Sequence, residues 1–329
     1  MSVLVTGGAG YIGGATVDAL LARGERVVVL DDLSTGHLGA VASGAEFERA
    51  DVGDAEKLRR LIPQHDVRLV IHFAALTSTT ESVRHPGRYF QTNAVKTLTL
   101  LEAMREAEVK SMVFSSTAAV YGDPQSVPID ERHPTGPINP YGCSKLMAEQ
   151  MIEAYGKAHG IRCVTLRYFN AAGGSPVRGE DHRPETHLIP LALRAALTPG
   201  FEIKTYGVDY PTPDGTCVRD YIHIEDLAAA HLLAMDYLKG RDRGEGATLN
   251  LGIGRGYSVR EVVETAREVT GHAIPTIEVD RRPGDPAQLV ASSDLARERL
   301  GWEPKYPHLR DIIASAWEWH SAHPKGYGD

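Results

Sequence analysis

Only three cysteines occur in 329 residues, and none has C-x-x-C spacing, so Cys143, Cys163 and Cys217 define neither a disulfide framework nor a thiolate metal site. No metal is expected on that ground, and a reducing cytoplasm suits the chain best. No long apolar run is present, and Met1 leads straight into Val3-Leu4-Val5 without a basic region, so neither export nor membrane anchoring is expected. Basic residues are not in excess. Lys and Arg number 35 against 43 Asp and Glu, a formal net charge of −8, which removes the electrostatic reason to expect a nucleic acid partner. An anionic small ligand would need arginines placed locally. Internal repeats and low-complexity blocks are also missing.

What is present is length and a regular alternation. The chain is long enough for one large domain and a smaller lobe, with 42% hydrophobic residues to fill their cores. Apolar runs at Val3–Val5, Val27–Leu30, Leu69–Phe73, Met112–Phe114 and Val164–Leu166 alternate with amphipathic stretches. Because the runs are apolar throughout, both faces of their sheet should be covered, which predicts an α/β fold with a doubly wound parallel sheet of the Rossmann type. Beyond Asn170 the chain turns rich in Gly, Pro and charge, so residues 1–170 read as a first domain and 171–329 as a second, smaller α/β lobe that binds substrate. A stretch around 217–255 is a candidate to rejoin the first domain. Ser258-Val259-Arg260-Glu261 has capping-box spacing ahead of a helical pattern, so the second lobe is structured.

The first strand runs into Thr6-Gly7-Gly8-Ala9-Gly10-Tyr11-Ile12-Gly13 and then a helical pattern that ends at Gly24. Glycines where a strand becomes a helix let the backbone approach a pyrophosphate, and the first-turn amides favour its charge. Arg26 to Leu30, the second strand, ends at Asp31, where a carboxylate accepts hydrogen bonds from a ribose diol. That aspartate favours NAD over NADP, whose extra phosphate it would repel, with Arg26 and His37 as the nearby cations that keep the second option open.

Asn139-Pro140-Tyr141-Gly142-Cys143-Ser144-Lys145 opens a helix, with Asn139 as cap and Pro140 at the first position. Tyr141 and Lys145 then lie one turn apart on one face. A phenol of pKa about 10 is only about 0.1% ionised at neutral pH, so its use as a base needs a drop of roughly three units, about 4 kcal/mol. A lysine cation at i+4 acts in that direction, as would a positive nicotinamide ring. Phe114-Ser115-Ser116-Thr117 ends the fifth strand and brings hydroxyls to the same edge. An isolated Y-x-x-x-K is an ordinary surface pair, and isolated hydroxyls there are more often a cap or turn.

The spacing Gly7, Gly10, Gly13 resembles the extended short-chain dehydrogenase/reductases. Within them the chain is similar to the UDP-glucose 4-epimerase family, through blocks in order: Thr6–Gly13, Phe114–Gly122, Pro140–Glu149, Leu166–Asn170, Asp209–Thr212, Gly215-Thr216, Val218–His223 and Arg282-Pro283-Gly284-Asp285. The resemblance implies a catalytic set of Thr117, Tyr141 and Lys145. It implies a cofactor site in which Gly7, Gly10, Tyr11, Ile12, Gly13, Asp31, Asp51, Val52, Phe73, Ala74, Ala75, Asn93, Ser115 and Tyr168 surround NAD; taken alone, Asp51 is equally an ordinary polar strand end. It implies that Asn170, His187, Leu188 and Arg219 hold UDP, that Tyr206 and Val259 border the uracil, and that Arg282 and Asp285 meet diphosphate and ribose. The expected reaction is inversion at C4 of a UDP-hexose through a 4-keto sugar, in a homodimer packed through cofactor-domain helices. Dehydratases of similar sequence carry two acids directly after the Ser or Thr, where this chain has Ala118 and Ala119; a dehydration therefore lacks its proton carriers, and the same gap speaks against decarboxylation of UDP-glucuronate.

Two other readings remain at the level of sequence. An ordinary oxidoreductase would release reduced cofactor at each turnover, and a cofactor-sensing regulator would be expected to have lost the Tyr or Lys that this chain keeps. The sugar is also open. The family position that limits space for an N-acetyl group falls on Leu289, smaller than the excluding tyrosine and larger than the permissive cysteine or serine, so plain hexoses and both classes stand as alternatives.

Overall fold

Val3 and Val5 of strand β1 (Ser2–Thr6) face one apolar layer and Leu4 the opposite one, so a single run of β-branched and aliphatic residues supplies two cores. The coordinates are a computed structural model that describes residues 1–242, 244–282 and 284–328; Pro283 of the Arg282–Asp285 block lies outside the described residues. After β1 come α1 (Tyr11–Ala22), β2 (Val27–Asp31), β3 (Glu46–Arg49), α2 (Ala55–Gln64), β4 (Val67–His72), α3 (Thr79–Arg84), α4 (Pro86–Tyr89), a π-helical turn (Phe90–Val95), α5 (Lys96–Glu106), β5 (Ser111–Thr117), α6 (Pro140–His159) and β6 (Arg162–Tyr168). The rest is β7 (Asn170–Ala172), α7 (Leu188–Leu197), β8 (Ile203–Tyr206), β9 (Val218–His223), α8 (Ile224–Leu238), β10 (Ala247–Leu251), β11 (Gly256–Ser258), α9 (Val259–Thr270), β12 (Thr276–Val279), β13 (Gln288–Leu289), α10 (Asp294–Leu300) and α11 (Leu309–Ala322).

Seven strands form one parallel sheet in the order β10-β6-β5-β4-β1-β2-β3. On one face Val17 and Leu20 of α1 pack with Leu227, Ala230 and Ala234 of α8; on the other lie Leu58 of α2, Leu100 of α5, and Ala148 and Ile152 of α6. The fold is thus the doubly wound α/β arrangement that the apolar runs predict. Its outermost strand β10 and the covering helix α8 come from residues 224–251, far downstream of the other six strands. Such sheets place ligands beyond the C-terminal ends of their strands, and that edge collects Thr6, Asp31, His72 and Thr117.

The smaller lobe is built on β9, which pairs with β7, β11 and β13, together with a β8–β12 pair and helices α7, α9 and α11 around a third core. Helix α9 starts with the capping box read in the sequence: Ser258 Oγ accepts from the Glu261 amide at 3.0 Å, and Glu261 accepts from the Ser258 amide at 2.7 Å.

Candidate active site

Gly7 adopts φ +75°, and a Cβ there would stand 2.6 Å from the Ala74 nitrogen; a Cβ on Gly13 would stand 2.2 Å from the Gly7 carbonyl oxygen. Both glycines are therefore required by contact between the turn and its own neighbours. Gly10, the N-cap of α1, is different, since a Cβ there meets nothing nearer than 3.3 Å. Its open side lies where the first amides of α1, which no helix carbonyl can reach, present partial positive charge. The Asp31 carboxylate sits at the same turn, accepting from the amides of Ala9 at 3.0 Å and Leu33 at 2.9 Å. Burial raises its pKa and the two amides oppose that rise. A glycine cradle, a helix N-terminus and a fixed carboxylate fit a dinucleotide.

Of the two cations that keep NADP open, Arg26 lies away from the turn, whereas His37 stays beside it, its amide bonded to Ala9 O at 3.1 Å. Arg26 precedes β2, about 17 Å of extended chain from Asp31, and pairs with Glu46 at 3.6 Å. His37 is engaged by the Asp181 carbonyl at 2.7 Å and stacks on Tyr327.

Other residues expected around the cofactor fall along the same edge but act in different ways. The Tyr11 hydroxyl donates to the Gly173 carbonyl at 2.6 Å, so this side chain ties α1 to the smaller lobe and only its backbone faces the turn. Ile12 packs into the apolar layers, and Val52 is buried in the layer under α2. Asp51 accepts from the Gly53 amide and, at 2.6 Å, from Lys96 Nζ; against the opposing effect of burial, these hold its pKa low. Phe73 and Ala74 both donate backbone N–H to Thr6 O, and the Phe73 ring rests 4.6 Å from His231. Asn93, in the π-helical turn, spends its amide inside the protein: Oδ1 accepts from Leu76 N at 2.8 Å, while Nδ2 donates to Leu76 O at 2.9 Å and Ser144 Oγ at 3.0 Å. It pins the 73–76 segment to α6 and thereby sets the wall of the site.

Asn139 caps α6 through Gly142 N at 2.9 Å with Pro140 at the first position, as its sequence predicts. This fixes the first turn, and with it the buried Tyr141 beside Thr117. Burial raises the Tyr141 pKa and the Thr117 hydroxyl pulls it back. Lys145 departs from the simple i+4 expectation. Its Nζ donates to the Ser115 carbonyl at 2.7 Å and lies 4.7 Å over the Phe114 ring, and burial pushes its pKa down to about 7 against the pull of Glu149. The reason is the dry space between α6 and β5, which disfavours both charged forms. Ser115 also bonds to the Tyr168 hydroxyl, completing a line of hydroxyls at the edge of β5 and β6. Ala118 and Ala119 follow Thr117 in a 3₁₀ turn, and the nearby Glu149 is matched by Arg167, both side chains 9% exposed.

Strand β9 organises most of the expected substrate residues. Asn170 on β7 pairs with Tyr221, Leu289 on β13 stands opposite Arg219, and Val259 donates to Cys217 O at 3.0 Å. Arg219 bonds to Asp285, so two residues expected to meet the ligand separately hold each other, and Arg282 lies 3.8 Å over the Tyr206 ring. His187 and Leu188 sit at the start of α7. The His187 imidazole is turned to Glu180 and Glu185, each 2.8 Å from Nδ1. Glu180, His182 and Glu185 were not singled out by the sequence reading, although the density of charged and histidine residues over 180–187 is a visible signal.

The NAD dependent epimerase/dehydratase family matches residues 3–252. A UDP-glucose 4-epimerase of Halalkalibacterium halodurans is 51% identical over 99% of this chain and 98% of its own. The crystal structure of a Brucella ovis UDP-glucose 4-epimerase in complex with NAD superposes with TM-score 0.92 at 45% identity, covering 96% of this chain and 97% of that one. A Bifidobacterium longum UDP-glucose 4-epimerase in complex with NAD+ and UDP gives TM-score 0.94 at 37% identity, covering 99% of this chain and 100% of that one.

Proposed function

The chain belongs to the NAD dependent epimerase/dehydratase family, and from that premise we propose that it interconverts UDP-galactose and UDP-glucose by inversion at C4 through a 4-keto sugar, with NAD as its resident cofactor. The observation that carries this reading is Tyr141 buried beside Thr117 at the same C-terminal edge of the sheet that carries the glycine turn, with alanines where a dehydration would need acids. Bound NAD supplies the hydride acceptor and, later in the same cycle, the donor.

The residues of the chain do the rest. Tyr141 takes the proton of the 4-hydroxyl with Thr117 sharing it, and returns a proton when the ketone is reduced. Gly7, Gly10 and Gly13 admit the pyrophosphate, and Asp31 binds the ribose diol. Lys145, held by Ser115 O, adds positive charge on the side of β5 when protonated. Arg219, Arg282 and the start of α7 hold the nucleotide, leaving the sugar ring loosely held so that either face can be presented. A firmly held nucleotide with a mobile sugar makes the reaction an epimerisation and not a net oxidation.

The test is incubation of the purified protein, without added NAD, with UDP-galactose, UDP-N-acetylgalactosamine and UDP-glucuronate, following C4 configuration by NMR. Turnover of UDP-galactose without net NADH is expected; its absence in protein confirmed to contain NAD overturns the proposal, and stoichiometric NADH release makes the protein a simple dehydrogenase. The homodimer is proposed to form through α5 and α6 and the end of the π-helical turn, where Leu98, Met147 and Val95 are exposed. Among the described residues no helix is long and apolar enough to cross a membrane, and the three free cysteines suit a reducing cytoplasm.

A further inference from the structure

Over residues 180–187 four side chains converge on one point. One ligating atom from each of Glu180, His182, Glu185 and His187 lies within 4.8 Å of all the others. His182 Nδ1 is 3.1 Å from Glu180 Oε1 and 3.9 Å from Glu185 Oε2, and His187 Nδ1 is 2.8 Å from Glu180 Oε1 and from Glu185 Oε1. Glu180 and Glu185 side chains are only 5% and 10% exposed. Glu185 Oε2 is buried without a hydrogen-bond partner. A single proton on each imidazole Nδ1 cannot serve the carboxylate oxygens that crowd it, and one of those oxygens is left over.

We propose that Glu180, His182, Glu185 and His187 form a divalent transition-metal site, with zinc as the metal that best suits two imidazole nitrogens and two carboxylate oxygens. Two carboxylates and two neutral imidazoles cancel the charge of a divalent ion, and four N/O donors match tetrahedral zinc, whereas magnesium and calcium take oxygen shells of six or more. The scaffold is held on both sides. Upstream, Arg178 is bound to Asp18, Gly179 packs against Trp319, and the Asp181 carbonyl meets His37; downstream, α7 begins at Leu188. Both contacts of His187 use Nδ1, so its Nε2 remains outside the cluster. The metal is a clip that fixes the start of α7, and its effect on the substrate rests on the proposed role of His187 and Leu188, while metal binding itself does not.

The test uses the full chain stripped with chelator and then given zinc chloride alone. Expected are one zinc retained per chain by mass spectrometry and a raised thermal midpoint. Glu185→Gln and His182→Ala should each weaken zinc binding by at least the roughly 10–100-fold lost with an outer-shell partner, with unchanged circular dichroism; the near-isosteric glutamine keeps the test valid should the alanine variant misfold. Cobalt in place of zinc should give the visible bands of a tetrahedral N/O site without a thiolate charge-transfer band. Failure to retain zinc, equal retention by Glu185→Gln, or a thiolate band from Cys143, Cys163 or Cys217 overturns the site. Zinc removal should raise the KM for UDP-galactose several-fold with a smaller change in kcat; a KM indifferent to zinc overturns the link to α7 alone.

Discussion

Burial works against the ionisation that Tyr141 needs, and Lys145 beside it is directed to the Ser115 carbonyl. The protein's own direct contribution to phenol acidity is therefore the Thr117 hydroxyl, to which protonated Lys145 and a bound, positively charged cofactor would add. Removing the phenolic oxygen should cut kcat by about 10²–10⁴-fold, the usual worth of a positioned acid–base group. Tyr141→Phe should leave NAD affinity by calorimetry nearly unchanged, and a rate close to the parent's would move the base elsewhere. Thr117→Val, which keeps shape and loses the hydroxyl, should fall between the two. Leu289 permits a separate test, because it stands opposite Arg219 on β9, the strand that organises most of the proposed substrate residues. Leu289→Tyr should depress kcat/KM for UDP-N-acetylgalactosamine far more than for UDP-galactose, and Leu289→Ser should do the reverse. Equal changes for both sugars would show that the residue does not sense the N-acetyl group.

Among the elements, α6 matters through its first turn, because the Asn139 cap fixes Tyr141, the proposed base. Asn139→Ala should cost about 1 kcal/mol of stability and lower kcat as well, and Asn139→Asp should restore both, as measured by denaturant unfolding and turnover. The glycine turn gives a contrast between two neighbours. Gly13→Ala forces a Cβ to within 2.2 Å of the Gly7 oxygen and should destabilise the cofactor-free protein, whereas Gly10→Ala meets nothing closer than 3.3 Å and should weaken NAD binding alone. These elements were legible because their signals are local: glycine spacing after an apolar run, Asn-Pro before a helix, Ser258 three residues ahead of Glu261. The π-helical turn at Phe90–Val95 has no such signal, and neither do the short strands β8, β12 and β13, whose existence depends on distant partners. The site divides in the same way. Tyr141 and Asp31 could be placed from sequence, but the mutual pairing of Arg219 with Asp285 and the convergence of Glu180 with His187 arise only when irregular segments are folded together.

Across the whole molecule, the lobes are joined by Tyr11 to Gly173 and by Arg178 to Asp18, while β10 and α8 return to complete the sheet after the chain has entered the smaller lobe. Loss of either partner should therefore loosen both. Among the described histidines, burial holds His72 down to about 3 and His223 and His231 down to about 4. A histidine whose folded pKa is depressed stays neutral in the native state but takes up a proton once unfolded. Its stabilising contribution is present above the unfolded pKa of about 6.5 and is lost as pH falls toward the folded value. His231 offers the cleanest test, since its Nδ1 has a single partner, Leu227 O at 2.8 Å, and its Nε2 is buried without one. From pH 7.5 to pH 5 this residue alone should cost the parent about 2 kcal/mol, a loss that His231→Leu escapes. Urea unfolding of the two cofactor-free proteins should show their stability difference shifting by that amount in favour of the variant at the lower pH, whatever the offset at pH 7.5. A constant difference at both pH values would mean that His231 already shares its proton equilibrium with the unfolded chain.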